Sequence, residues 1–354
     1  MTSAARSTDP YARPVARLSS PGEIVAVLPV LCGFTPHESL VVLSLRGPRR
    51  RVGLTMRFDL DLVDEPGLLG EVVERLHRDG AEQAVVVVLT GQSDPPRGLV
   101  RARAVHELVQ RCGTRGIQVQ EAVLARAGRW WSYSCARDCC PAAGTPVPGS
   151  ESPTVRAVET AGVLEGRAVL ASREQLAASV AAPRRQAAAA ATRRQRLAGA
   201  ERDVRVERAG VERERERALA VLRSLLDVSL SAGGVDGSHA AELAVAVRDV
   251  QVRDEVATWA LDRQDALLAL LQQAARQVAG PGDAPLCGLL AWVAYAAGDG
   301  GLANVALDRC LTSDPTSSLG LLLARALHEQ LPPADLRTVL SLSRRSRSGA
   351  PDEQ

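Results

Sequence analysis

Residues 84–89 read Ala84-Val85-Val86-Val87-Val88-Leu89. Side chains of a strand point alternately to opposite faces, so an unbroken apolar run of this length predicts a strand covered on both sides. Helices that can do the covering flank it. Residues 68–78 carry apolar side chains at helical spacing and end near Gly80, and residues 99–112 do the same before Gly113. Further out lie two pairs of strands. Residues 39–45 are nearly all apolar and residues 51–60 alternate, with Gly47-Pro48 between them. Residues 117–124 and 129–134 flank Ala127-Gly128, a hairpin turn. At the start, Ser20-Pro21-Gly22-Glu23 announces a helix. Ser20 caps it, Pro21 takes its first position, and the Glu23 carboxylate can reach back to the cap amide. This helix is expected to run to Cys32, bend at Pro29 and stop at Gly33. The order helix, two strands, helix, strand, helix, two strands predicts right-handed crossovers onto a mixed sheet of about five strands.

Beyond Pro153 no strand pattern is evident. Ser152-Pro153 opens one helix, and Ser172 with Gln175 forms a capping box for another. Residues 184–220 are Ala, Arg and Glu with few large apolar side chains, which predicts a long, solvated connecting helix laced by opposite charges. Amphipathic helices follow from about residue 219. Among them Leu290-Ala291, Tyr295, Gly298-Asp299, Ala303, Leu307 and Pro315 fall close to the positions of a tetratricopeptide hairpin. The expected organisation is a disordered segment 1–18, an α/β domain 19–150, a helical connector 151–218, an all-α domain 219–342 and a disordered tail 343–354.

All 43 basic residues of the 354 are arginine, and the formal charge is +2. Without lysine, Schiff-base chemistry, pyridoxal phosphate attachment and a Walker-type phosphate lysine are excluded. No stretch approaches the ~18 apolar residues of a membrane span, so no membrane association is expected. The N-terminal segment lacks the apolar core of a secretory signal. Of seven cysteines, Cys32, Cys112, Cys287 and Cys310 stand singly in apolar surroundings, the usage of a reduced, cytoplasmic protein. Arg184, Arg185, Arg193, Arg194 and Arg196 have no acid nearby, but no aromatic interleaving or helix-turn-helix accompanies them, which weighs against nucleic acid.

One stretch concentrates scarce residue types: Trp130-Trp131-Ser132-Tyr133-Ser134-Cys135-Ala136-Arg137-Asp138-Cys139-Cys140-Pro141-Ala142-Ala143-Gly144. A second motif, Leu31-Cys32-Gly33-Phe34-Thr35-Pro36-His37-Glu38-Ser39-Leu40-Val41-Val42, follows the capped first helix. Together, Cys-x-x-x-Cys-Cys-Pro-x-x-Gly before Thr145-Pro146 and the Cys-Gly-Phe-Thr-Pro-His-Glu-Ser run resemble the actinobacterial family catalogued as domain of unknown function 4192. The resemblance covers most of the chain from about Leu18. It implies the two-part architecture and a cytoplasmic actinobacterial setting, and it implies no activity.

Cys135, Cys139 and Cys140, with Trp130 and Trp131, make a candidate functional loop. Thiolates bind soft metals, but adjacent Cys139 and Cys140 point to opposite faces of an extended chain and share one ion poorly. A reversible disulfide from Cys135 is the second option, and a packed, cysteine-rich corner without metal or cofactor is the leading one. Of the two tryptophans, one is expected inward and the other outward, under the loop 141–148. His37, Glu38 and Ser39 form a candidate pocket edge. Three consecutive side chains cannot converge as a catalytic triad does, so turn and capping roles suit them better. Asp59, Asp61, Asp64 and Glu65 read as solvated charge. No catalytic residue and no metal ligand is assigned. The expected function is a non-enzymatic interaction or regulatory module that binds a protein partner through its helical domain. The alternative is a small-molecule sensor or enzyme with its pocket near the cysteine-rich loop.

Overall fold

The structure, a computed structural model, describes residues 17–135, 141–164, 169–228, 234–329 and 331–348. They divide between two units whose boundary falls at Ser172 and Arg173.

In the first unit, helix α1 (Pro21–Cys32) starts where the Ser20 hydroxyl accepts the Glu23 amide at 3.2 Å, and it ends at Gly33, whose φ of 75° is left-handed. The Glu23 carboxylate does not return to the Ser20 amide. It accepts from the Ser19 amide at 2.8 Å and from the Ser152 hydroxyl at 2.9 Å, tying the start of α1 to a later helix. Strands β1 (Ser39–Arg46) and β2 (Arg51–Asp59) form the first hairpin, followed by a 3-10 turn and α2 (Leu68–Arg78). Then come β3 (Gln83–Leu89), α3 (Ala102–Thr114), β4 (Gln118–Arg126), β5 (Arg129–Ser132), the two-residue β6 (Thr145–Pro146) and α4 (Pro153–Leu164). The sheet is mixed and six-stranded, in the order β2-β1-β3-β4-β5-β6. Only the β3–β4 pair is parallel, joined through α3. The strand beyond the expected five is β6, antiparallel to β5 through Trp130 opposite Thr145.

The valine run lies at the centre and is covered on both faces as its composition requires. Val86 and Val88, with Leu40, Val42 and Leu124, meet Leu69, Val72 and Leu76 of α2 and Val105 and Leu108 of α3. On the other face Val85, Val87, Val41 and Val123 meet Val25 and Leu28 of α1. Each such fully buried side chain contributes about 1.5–3 kcal/mol. The β4–β5 turn places Ala127 at φ 48° and Gly128 at 70°, the double left-handed geometry of a tight hairpin.

The second unit is helical: α5 (Arg173–Ser179), α6 (Arg185–Ala209), α7 (Val211–Val228), α8 (Gly237–Ala246), α9 (Val250–Thr258), α10 (Ala260–Ala275), α11 (Ala284–Ala296), α12 (Gly300–Ser313), α13 (Ser318–His328) and α14 (Pro333–Ser348). Helices α11 and α12 pack as a hairpin around Gly298, with Ala291 and Ala303 fully buried.

Three expectations change. The stretch 151–218 is not a connector set apart, because α4 packs on α1 while α5 to α7 belong to the helical unit. The predicted single solvated helix is two helices that break at Gly210 (φ 85°) and pack against α8. Its charges are not merely solvated. Glu214 is 6 % exposed and receives the Arg205 guanidinium through two bonds of 2.8 and 3.0 Å. Asp249 caps α9 and accepts Arg215 at 2.9 Å. Carboxylates inside such a lattice of guanidinium forks are satisfied while buried, so an Arg/Glu composition also suits an interface between helices. Helix α14 also continues to Ser348, into the stretch that was expected as a tail. Among the described residues no helix is long and apolar enough to cross a membrane.

Candidate functional site

The carboxyl ends of β3 and β4 and the amino end of β1 meet at one edge of the sheet, where open α/β sheets gather their ligand-binding loops. Glu38 sits there with φ 40°, a left-handed conformation in a residue with a Cβ. Hydrogen bonds hold it. Its carbonyl accepts the Leu60 amide at 2.9 Å. Its carboxylate accepts the Thr90 hydroxyl at 2.8 Å, the Gly91 amide at 2.6 Å and the Gln92 side-chain amide at 2.9 Å. Burial pushes this carboxyl up, but the Gly91, Thr90 and Gln92 donors and the neighbouring His37 outweigh it and hold it below the usual carboxylate range. A carboxylate with three donors fixed on it is a clamp on the 90–92 loop and a poor proton acceptor.

Ser39 is fully buried. Its hydroxyl donates to the His37 carbonyl at 2.6 Å and accepts Arg57 Nε at 2.8 Å. The His37 ring is exposed, with Nδ1 accepting the Glu38 amide at 2.9 Å. The pocket-edge trio therefore builds a turn and pins two strands together. Asp94 and Arg126 fasten the far end of the same loop. Arg126 donates to Asp94 at 2.8 Å and stacks 5.0 Å from the Trp131 ring centroid, and Asp94 accepts the Val100 amide at 3.0 Å. Tyr133 closes this corner by donating to the Val100 carbonyl at 2.7 Å. Thr90, Gln92, Asp94 and Arg126 were not singled out from the sequence. The readable signal was a Gly- and Pro-rich loop directly after the buried valine strand.

A pH prediction follows from Glu38. A carboxyl held below its ordinary value in the folded state adds stability above the unfolded value and loses it as pH falls through the folded one. Glu38→Gln removes that contribution. Urea denaturation between about pH 6 and pH 3 should show a shallower loss of stability in Glu38→Gln than in the unaltered protein. Identical slopes would show that the clamp has no energetic weight.

The two tryptophans lie on opposite faces of β5, and the loop after it covers both. Trp131 Nε1 donates to the Ala142 carbonyl at 3.0 Å, and the ring lies against Gly144. Trp130 packs with the α1 face beside Gly22 and Pro148. Both rings are half-buried, Trp130 on the α1 face and Trp131 under the loop that follows β5. Cys135 is half-buried, and its amide donates to the Ser132 hydroxyl at 3.2 Å. Cys139 and Cys140 lie outside the described residues. Burial pushes the Cys32 and Cys112 thiols up to about 11 and Cys287 to about 12, which keeps them protonated at neutral pH. Among the described residues no group of three or more His, Cys, Asp or Glu side chains could hold a metal ion.

In the helical unit, a cavity of about 290 Å³ is walled by Arg223, Asp227, Trp259, Asp262 and Arg263. Another of about 270 Å³ lies between α6 and α8, beside Arg194, Glu201, Arg205, His239 and Glu242. Both sit at the lower limit for small-molecule sites.

The family model described as "Domain of unknown function (DUF4192)" matches residues 21–334. The chain belongs to this family. The match takes in both motifs that carried the resemblance, and it spans the sheet and all but the end of the helical unit. No curated protein and no solved structure matches the chain.

Proposed function

We propose that this DUF4192 protein is a non-enzymatic interaction module of a reducing, cytoplasmic compartment that binds a protein partner through its helical unit. One observation carries the reading: among the described residues, most of the exposed large apolar side chains belong to the helical unit. On α13, Leu321 and Leu322 are 51 % and 56 % exposed, and on α14, Val339 and Leu342 are 49 % and 57 % exposed. Both helices pack on α11. Exposed apolar side chains with charged neighbours, here Arg325 on α13 and Arg344 on α14, are what protein-binding surfaces are made of. The bonds of Glu38 and Ser39 agree with this reading, because they spend the polar groups of the pocket edge on holding the fold. The buried, protonated thiols suit the reducing compartment. A helical hairpin with tetratricopeptide-like spacing supplies a scaffold of the kind that presents such surfaces.

Affinity purification of the full chain from its native cell, read by mass spectrometry, tests the proposal. A partner that co-purifies with the unaltered protein should drop by about tenfold with the pair Leu321→Glu and Leu322→Glu, equal to roughly 1.4 kcal/mol of binding. It should be retained by Glu38→Gln. Retention by the α13 pair together with loss in Glu38→Gln would move the function to the sheet edge and overturn the reading.

A further inference from the structure

Helix α6 has two opposite faces. Ala191, Gln195, Ala198 and Arg202 lie on the side that packs against α8, with Ala191 and Gln195 buried. On the side turned away, Ala190, Arg193, Leu197, Ala200, Val204 and Glu207 recur at alternating spacings of three and four, a coiled-coil-like seam with Leu197 at the rim of the cavity beside α8. All six are exposed, Leu197 at 54 % and Val204 at 43 %. A seam that buries Leu and Val in a partner helix and is open in one chain wants a second helix.

The charges beside the seam say which helix. The first half is basic, with Arg193 and Arg196 on the open side, while in the second half Glu201, Asp203 and Glu207 stand among Arg202, Arg205 and Arg208, of which Arg202 and Arg205 are engaged by Asp249 and Glu214. Arg193, Arg196 and Glu207 form no ion pair among the described residues. Asp203 is 74 % exposed, with only the adjacent Arg202 at 3.8 Å. A copy of α6 turned end for end brings the basic first half of each helix toward Asp203 and Glu207 of the other. In the register that sets Leu197 opposite Ala200 of the second copy, Arg193 falls opposite Val204 and Glu207 opposite Ala190. The flanking positions then place Arg196 against Asp203 of the second copy, and by symmetry Asp203 against its Arg196. At the ends, Arg193 and Glu207 of the two copies come within one helical turn of each other, with their aliphatic stems over the seam and their heads in water. Near the centre, Ala200 lets the two backbones approach closely. Every seam position then meets a partner of fitting size, and neither flanking pair sets like charges together.

We propose that α6 is a self-association surface, which joins two copies of this chain through an antiparallel α6–α6 pair with two-fold symmetry. This lies apart from the α13–α14 surface, so each can fail alone.

Sedimentation equilibrium of the full chain is the test. The unaltered protein should show a concentration-dependent monomer–dimer equilibrium. Leu197→Asp should leave monomer only. Arg196→Glu and Asp203→Arg should each raise the dimer Kd by about tenfold, since each spoils two symmetric ion pairs and creates repulsion. The double variant Arg196→Glu/Asp203→Arg should recover to within about threefold of the unaltered Kd. Positions 196 and 203 lie seven residues apart and do not touch within one helix, so recovery requires contact between copies. All three positions are exposed, and unchanged circular dichroism should confirm folding. A monomer at every concentration overturns the proposal. So does a dimer that the charge reversals leave intact, one that the double reversal does not rescue, or one that Leu322→Glu dissolves instead.

Discussion

Replacing Arg309 with methionine should cost the helical unit about 3–5 kcal/mol, a large share of the stability of a domain. The Arg309 side chain is 12 % exposed and serves four acceptors in three places. It donates to the Val180 carbonyl after α5, to the Ala275 and Val278 carbonyls at the end of α10 at 2.7 and 2.8 Å, and to the Asp283 carboxylate before α11 at 2.6 Å. Asp283 is 2 % exposed, and its second oxygen has no hydrogen-bond partner among the described residues. Without the guanidinium a charge stays buried alone, and three helix-end carbonyls lose their donor. Urea denaturation followed by far-ultraviolet circular dichroism measures the loss. Adding Asp283→Leu should return part of it, because the stranded carboxylate is then gone. A cost under about 1 kcal/mol for Arg309→Met would show that the network is dispensable.

Gly144→Ala should cost about 2–4 kcal/mol in the α/β unit, more than most single-methyl additions. Gly144 has φ 75°, where a Cβ is strained, and a Cβ there would stand 2.5 Å from Cε2 and 2.6 Å from Cζ2 of Trp131. To make room, Trp131 must leave its bond to Ala142 and its place against Arg126. The readout is the emission of the intact protein together with its Tm. A red-shifted spectrum and a Tm lower by several degrees are expected, since roughly 2–4 °C accompanies each kcal/mol in a domain of this size. A variant with unchanged Tm and emission would mean that the loop does not seal Trp131.

The central sheet was legible because its evidence is local and redundant. Ala84 to Leu89 can be satisfied only by cover on both faces, and the Ala127-Gly128 turn fixes the neighbour of β4 by itself. The sixth strand was not legible. Two residues, one of them Pro146, carry no alternation and only one amide. The charged stretch misled for a different reason. Glu214 and Arg205 pair across the break at Gly210, and Asp249 pairs with Arg215 thirty-four residues away. A reading confined to one helix sees surface charge there, and packing between helices turns it into buried structure. At the candidate site the residues at 37–39 were found, but their partners at 90–92 and at 57 come from other parts of the chain, and only the sheet order brings them together. Cys135 lies among the described residues, and Cys139 and Cys140 lie outside them.

The short β6 has one more consequence. A strand on the rim of a sheet offers its free amides and carbonyls as a template on which further chains can add without limit. Here one rim ends in Thr145 and Pro146, too short and too poor in donors to be copied, and Arg51 and Arg57 populate the strand at the opposite rim. The valine-rich centre, a sequence prone to amyloid growth if exposed, is sealed at both ends of the ladder. Both rims of the sheet therefore offer little backbone on which a further strand could add.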